Sequence, residues 1–329
     1  MAILENISLA PYSAFGTGGT CRYFWQPESI EEIATELPRF AGTPFYLLGA
    51  GSNSLVSDTP WPGMVMQFGN LATCEETESG FICGAGVLNS DLAQRARDRS
   101  QQGAAWMYRL PGQLGATIRM NARCYGGEIS QCIDQVKTVT PSGEIKTYEV
   151  TNSTRTNVFR GYKDTIFMTN QEIVVQCSIR LQPGPLEPIV SLMEKIEKDR
   201  VSKGHFDFPT CGCVFKNEYA PEVSVSSGLL LELAGSKSLH KPRARVSEKH
   251  ANFIFNHNGA SSEEILELSI EMRERVWSEF GVWLAYEMEL LGDFPAALLK
   301  QFQEQRPPAY RHARLAEARA RFQSQGGRI

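Results

Sequence analysis

An apolar run, Pro44-Phe45-Tyr46-Leu47-Leu48, breaks directly onto Gly49-Ala50-Gly51-Ser52-Asn53, and this strand-to-turn junction is the tightest constraint the sequence places on its own fold. A dinucleotide fingerprint opens in the same way, but it needs a third glycine and an acidic residue about twenty positions further on. Ser54 takes the third glycine position and the acidic residue is missing, so the junction is not that fingerprint. What remains is a tight turn whose successive backbone N–H groups, with the Ser52 hydroxyl and the Asn53 amide, form a nest suited to a diphosphate. A turn of this composition between strands also arises for structural reasons alone.

Around the junction the chain reads as short alternating elements. Ser29 and Glu32 make a capping box ahead of Ile30, Ile33 and Leu37, and Met64–Phe68 is a further strand that closes a compact α+β unit near residue 70. Beyond it come short strands, a polar helix over Asp91–Arg99, a hairpin over 138–150 turning at Pro141-Ser142-Gly143, and an alternating strand over 171–181. Gln182-Pro183-Gly184-Pro185 punctuates the chain, and an apolar stripe on Ile189, Met193 and Ile196 follows. Ser261 and Glu264 form a second capping box for a helix faced by Ile265, Leu268, Met272 and Val276, ended by Gly281 and followed by a strand over 282–291. The Ala/Arg-rich tail is expected as a solvated surface helix or a frayed terminus.

At 329 residues the chain exceeds the usual single domain. A formal charge of −4 leaves no footprint for nucleic acid or an anionic membrane surface, and no stretch approaches the ~20 apolar residues of a membrane span. The first residues lack a basic segment followed by an apolar one, so a cytoplasmic location is expected. The eight cysteines show no C-x-x-C spacing and are expected as free thiols. Cys211 and Cys213, with His205 the one histidine nearby, fall short of the about four ligands of a structural zinc site, and no metal is expected.

A second glycine-bearing loop, Leu110-Pro111-Gly112-Gln113-Leu114-Gly115, runs into Met120-Asn121-Ala122 and Tyr125-Gly126. Small residues let backbone approach a flat or charged ligand closely, and two such loops in different segments suit a long ligand such as FAD. Together with Phe15-Gly16-Thr17-Gly18-Gly19, Thr210-Cys211-Gly212-Cys213-Val214-Phe215-Lys216-Asn217, Val246 to Ile254, and Leu284-Ala285-Tyr286-Glu287-Met288-Glu289, these loops resemble the flavin-dependent UDP-N-acetylenolpyruvoylglucosamine reductases over roughly residues 8–292.

The resemblance implies an α+β protein: a two-subdomain FAD-binding fold of the vanillyl-alcohol-oxidase type over 1–70 and 71–186, an α+β substrate domain over 187–292, and a helical tail over 293–329. It implies non-covalent FAD held by Gly49, Ala50, Gly51, Ser52, Asn53 and Ser54, and by Pro111, Gly112, Gly115, Asn121, Ala122, Tyr125 and Gly126. NADPH enters as co-substrate and a small UDP-sugar as substrate, with neither nucleic acid nor membrane as partner and a monomer or weak dimer as the assembly. Tyr162, Lys216 and Asn217 are implied to hold the substrate.

The catalytic positions depart from the family pattern. Cys213 stands where the family keeps a proton-donating serine; a thiol with an ordinary pKa near ~8.5 is mostly protonated at pH 7 and can replace it. As a bland alternative, Cys213 is a small buried hydrophobe. Lys163 replaces an arginine and so offers a point charge without a bidentate fork, with Arg160 three residues away as a substitute. Glu287 matches the catalytic glutamate, whereas Glu289 stands where an arginine is found. His250 reads as a satisfied, partly buried histidine. The implied reaction is reduction of the enolpyruvyl group of a UDP-sugar in peptidoglycan precursor synthesis. The alternatives are a diverged paralogue acting on another unsaturated acid or glycoside, and a non-catalytic flavin-binding protein.

Overall fold

The computed structural model describes residues 3–326. Its chain divides into two compact units, each assembled from separated segments. One comprises residues up to Ile7, Cys21–Ala50 and Pro62–Arg200; the other comprises Ser8–Thr20, Gly51–Trp61 and the chain from Val201 onward.

The first unit is built around two larger sheets, with smaller two-stranded ones beside them. Strands Ile3–Ser8, Thr20–Trp25, Trp61–Gln67 and Phe45–Leu48 lie in that spatial order, and the last two run parallel with Phe45 opposite Met64 and Leu48 opposite Gln67. The expected helix spans Ile30–Glu36, where the Ser29 side chain accepts from Glu32 N at 3.0 Å. Its capping box is incomplete, because the Glu32 carboxylate reaches Glu28 N and Trp25 Nε1 instead of the Ser29 backbone. Trp25, Ile33, Met64 and Met66 pack in one core with Val139, Ile173 and Val175. Three of those side chains come from the second, five-stranded antiparallel sheet, ordered Ile145–Glu149, Ile133–Val139, Ile173–Arg180, Gly80–Gly84 and Cys74–Thr77. Helix Leu186–Ser202 turns the predicted stripe of Ile189, Met193 and Ile196 inward, along with Arg200.

The second unit is organised by helix Ser262–Phe280. Ser261 Oγ accepts from Glu264 N, and the Glu264 carboxylate accepts from Ser261 N at 3.0 Å, so the predicted capping box is complete. Ile265, Leu268, Met272 and Val276 are fully buried. Gly281 ends the helix at φ +66°, and a Cβ there would strike the Ala309 carbonyl at 1.7 Å, so only glycine fits.

Two expectations are corrected in this unit. The strand foreseen over 282–291 is a strand only at Glu289–Leu291, which pairs in parallel with Ser54–Val56. Its preceding residues bond to a different partner, the backbone of residues 214–216, so no continuous ladder forms. The tail is docked rather than solvated: helix Ala296–Gln303 lays Phe302 against Tyr286, and helix His312–Ser324 buries Leu315 and Ala318 completely. Arg314 pairs with Glu279, and Arg321 pairs with Glu232 at 3.1 Å.

All eight cysteines are free, including the cross-strand neighbours Cys74 and Cys83, whose Sγ atoms are 3.5 Å apart. Among the described residues no helix is long and apolar enough to cross a membrane.

Because Leu315 lies in the core, Leu315→Ala is expected to lower stability by about 2–5 kcal/mol, the usual cost of such a truncation. Glu317→Ala, on the exposed face, should stay within about 0.5 kcal/mol. Urea unfolding of both variants checks this; equal midpoints would show that the tail contributes nothing.

Candidate active site

The two segments expected to carry the chemistry meet in the second unit through their backbones. Gly212, at φ +79°, turns the chain into Cys213 and Val214. Glu287 N donates to Val214 O at 2.8 Å and Lys216 N to Ala285 O at 2.9 Å, so the stretch Val214–Lys216 runs antiparallel beside 285–288. On its other side Val214 N donates to Asn252 O, while the Asn252 side chain accepts from Phe215 N at 3.0 Å and donates to Phe215 O at 2.8 Å. Cys213 itself bridges Phe253. The strap that carries the candidate proton donor is therefore gripped from both sides, and Glu287 follows directly from one of them.

Packing fixes the glutamate further. Tyr286 stacks on Phe215 at 4.8 Å and on Phe302 at 4.1 Å between ring centroids, and the Arg273 guanidinium lies 4.4 Å from its ring. Arg273 is 1% exposed and donates to the carbonyls of Phe302 and Gln301. Burial lowers its pKa, opposed by Tyr286 and the carboxylates of Glu274 and Glu304. The Tyr286 hydroxyl is pushed up to about 12 by burial, so it remains a neutral phenol. Burial also pushes the Cys211 thiol well up, reinforced by Cys213 and Glu287, which makes Cys211 an inert neighbour.

The glycine turn joins this frame. Gly51 has φ +64° and a Cβ there would meet the Tyr12 carbonyl at 2.0 Å, so the turn requires glycine for close packing. Asn53, expected to line a diphosphate nest, donates its Nδ2 to Glu287 O at 2.9 Å, and its carbonyl accepts from Glu289 N. Ser54 opens the parallel strand opposite Glu289. Asn217 Oδ1 accepts from Ser227 N at 3.0 Å and the Ser227 hydroxyl donates to Lys216 O, which ties Lys216 to helix Ser227–Leu233. The ring of His250, partly buried as expected, sits 4.4 Å from that of Phe253.

In the first unit a hairpin of Phe159–Gly161 with Asp164–Thr165 carries Tyr162 and Lys163. Lys163 has φ +52° and is 9% exposed. Arg160 uses its guanidinium inside the hairpin region, donating to Asp164 Oδ1 at 2.7 Å and to Thr165 O at 2.6 Å. The Arg123 guanidinium covers the Tyr162 ring at 4.1 Å. Tyr125 and Gly126, at φ +49° and +81°, form the two-residue turn between Arg123–Cys124 and Gly127–Glu128.

Residues 21–149 match the family described as FAD binding domain, and residues 204–291 match the C-terminal domain of UDP-N-acetylenolpyruvoylglucosamine reductase. The reductase of Carboxydothermus hydrogenoformans is 33% identical to this chain over 295 residues, covering 88% of this chain and 94% of that protein. The chain belongs to the UDP-N-acetylenolpyruvoylglucosamine reductase family. Its relative from Synechococcus elongatus is also 33% identical, over 88% of this chain and 95% of its own length. The crystal structure of the reductase from Thermus caldophilus superposes with a TM-score of 0.73 at 29% identity, covering 88% of this chain and 99% of that one. Family membership and the FAD-binding match make the chain an FAD-dependent oxidoreductase of the α+β class.

The second glycine loop fits that cofactor. Gln113 Oε1 and Asn121 Oδ1 are buried acceptors without a hydrogen-bond partner, which a cofactor carrying hydroxyl or N–H donors would satisfy. Pro111 and Gly112 lead into helix Leu114–Arg119, whose Gly115 would place a Cβ 2.8 Å from Ala85 Cβ. Ala122 and Asn121 follow in the same loop, where Asn121 Nδ2 holds Gly161 O at 2.9 Å.

Asn252, Arg273 and Phe302 were not foreseen as parts of the site. Asn252 lies inside the recognised Val246–Ile254 signature, so its presence carried a signal; Arg273 and Phe302 act through packing across distant segments and left none.

The FAD is expected to be released by acid precipitation, since burial raises the pKa of Cys124, the thiol of the second loop, and suppresses its nucleophilic thiolate. A flavin spectrum in the supernatant is the expected result; colour retained in the pellet would make Cys124 the attachment site.

Proposed function

We propose that the protein reduces the enolpyruvyl group of UDP-N-acetylglucosamine enolpyruvate to the lactyl ether of UDP-N-acetylmuramate, with NADPH as co-substrate, in cytoplasmic peptidoglycan precursor synthesis. The observation that supports this most is the pairing of Val214 and Lys216 with Ala285 and Glu287, in a chain whose named relatives align along nearly their whole lengths. Residues 1–70 and 71–186 act in this reading as the FAD-binding halves, 187–292 as the substrate domain and 293–329 as its support.

Bound FAD supplies the hydride chemistry, and the chain's own residues manage charge, orientation and the proton. Addition to the enolpyruvyl double bond moves negative charge toward the carboxylate, so a cation, an oriented acid and a proton donor are needed at that moment. Lys163, at the position where the family pattern keeps an arginine, supplies the cation. Cys213 delivers the proton to the substrate carbon from its Sγ, and Glu287, oriented through Tyr286, stabilises the adjoining charge shift. Tyr162 and Lys216 contact the substrate, and Asn217 holds Lys216 through the Ser227 tie. The diverged-paralogue alternative has the changes at Lys163, Cys213 and Glu289 as its motive, but the relatives reported above all bear the reductase name and give it no support.

Rapid anaerobic reoxidation of the reduced flavin by UDP-N-acetylglucosamine enolpyruvate is the decisive measurement, and a flavin that stays reduced overturns the reading. Cys213→Ala is expected to slow this reoxidation on the order of 10²–10⁴-fold while NADPH still bleaches the flavin, and Cys213→Ser to recover much of the rate. An alanine variant with an unimpaired second half-reaction would place the proton elsewhere.

Lys163→Met should weaken substrate binding and slow reoxidation, whereas Arg160→Met should change either by less. The reverse ranking, read in the same stopped-flow traces, would assign the cation to Arg160.

A further inference from the structure

The edge strand of the five-stranded sheet, Cys74–Thr77, sets a thiol directly opposite another on its neighbour: Cys74 pairs in register with Cys83, and their Sγ atoms are 3.5 Å apart. The ladder explains this closeness. Gly84 N donates to Thr73 O at 2.9 Å, which makes Thr73 and Gly84 a hydrogen-bonded pair. The next pair along, Cys74 with Cys83, is therefore of the non-hydrogen-bonded kind, whose Cα atoms approach to about 4.5 Å. That spacing lies within the about 4.4–6.8 Å that a disulfide spans. Cys177 flanks Cys83 on the other side, but there Ala85 N donates to Val175 O, so Cys83 and Cys177 fall on a hydrogen-bonded pair with the wider spacing.

The hairpin holds this register. A two-residue turn joins Cys74–Thr77 to Gly80–Gly84, and Arg99 donates to Thr77 O at 2.9 Å and to Gly80 O at 3.3 Å, pinning both ends of the turn. The two sulfurs differ in their surroundings, Cys74 being partly exposed and Cys83 buried. The hydrogen bond with Cys83 lowers the pKa of Cys74; burial opposes this, the Arg95 guanidinium assists it, and the carboxylates of Glu76 and Asp91 oppose it more weakly. The same bond, together with burial, raises Cys83. The thiolate thus forms on the outer sulfur while the inner one keeps its proton.

We propose that Cys74 and Cys83 are a peroxide-reactive thiol pair, Cys74 attacking and Cys83 resolving, which closes to an intramolecular disulfide at the sheet edge. The site is independent of the reaction proposed above. The Cys74 thiolate attacks one oxygen of hydrogen peroxide: an S–O bond forms, the O–O bond breaks and hydroxide leaves, so the sulfur is oxidised to a sulfenic acid and the peroxide is reduced. Cys83 then attacks the Cys74 sulfur; the S–S bond forms, the S–O bond breaks, and the oxygen departs as water with the Cys83 proton. Two thiols and one peroxide give one disulfide and two waters. Closure brings the sulfurs from 3.5 Å to about 2.05 Å without a change of register.

The test uses the FAD-loaded full chain, reduced with dithiothreitol, desalted and treated with one equivalent of hydrogen peroxide. The thiol count of the unfolded protein is expected to fall by two from eight and to be restored by dithiothreitol. Cleavage at Glu75, Glu76 and Glu78 separates Cys74 from Cys83, so mass spectrometry of the alkylated, unreduced digest should find the two fragments joined. Cys74→Ser should keep the flavin spectrum, lose the joined fragment and leave Cys83 alkylated. Cys83→Ala should let Cys74 proceed to sulfinic acid, which dithiothreitol does not reverse. A parent digest with Cys83 joined to Cys177, with Cys74 as sulfinic acid beside an intact Cys83 thiol, or with Cys213 consumed before the pair overturns the proposal, and so does a parent that loses no thiol. The parent digest decides even where a variant fails to fold.

Discussion

The parallel pairing of Ser54–Val56 with Glu289–Leu291 is the contact on which the second unit depends. It joins segments separated by most of the chain, so it forms only at a large cost in loop-closure entropy, and the surrounding burial has to offset that cost. Leu55 is fully buried in the same core as Val214, Phe215, Leu284 and Met288, and this shared apolar burial supplies the offset. Once formed, the pair sets three things together: where the glycine turn ends, where Glu287 begins, and which backbone edge is left for the strap that carries Cys213. The chemistry is thus positioned by backbone hydrogen bonds, which hold direction better than the side-chain contacts of a surface loop.

Departures at the chemical positions become consistent within this frame. Replacing a hydroxyl by the thiol of Cys213 changes one atom on a strap gripped by Asn252 and Glu287 backbone, so its placement survives the change. Replacing arginine by Lys163 alters geometry more than charge, and it occurs at a hairpin where Arg123 already lies over the adjacent tyrosine. Glu289 differs in kind. Its backbone N–H serves Asn53, a role any residue but proline can fill, and the structure offers no account of why an acid was chosen there.

Local signals were read correctly where they were truly local. The Ser261–Glu264 box, the stripe ending at Gly281, the strand before the glycine turn and the hairpin over 138–150 all depend on residues within a few positions of each other, and all appear as foreseen. Apart from the Ser29 box, which Glu32 leaves incomplete, the failures share a different origin. The strand over 282–291 alternates well enough, but its backbone changes partner midway, from residues 214–216 to residues 54–56, and periodicity does not report partners. The tail was read as solvated because arginines dominate its composition, whereas Leu315, Ala318 and Phe302 decide its docking. Arg273 was passed over on the helix it shares with the buried stripe, since a buried arginine is legible only once its carbonyl acceptors and aromatic neighbours are in place.

The glycine turn shows why motif and mechanism need not coincide residue by residue. Gly51 is required by its own packing against Tyr12, and Asn53 gives a donor to the carbonyl of Glu287; both would be needed even without a ligand. Yet that same bond makes the end of the glycine turn and the segment from Glu287 a single hydrogen-bonded piece. A shift at Asn53 would be felt at the Glu287 backbone through that one side-chain amide. Conversely, the Glu287 carbonyl cannot move away without breaking its bond to the Asn53 amide, next to the strand that Ser54 opens.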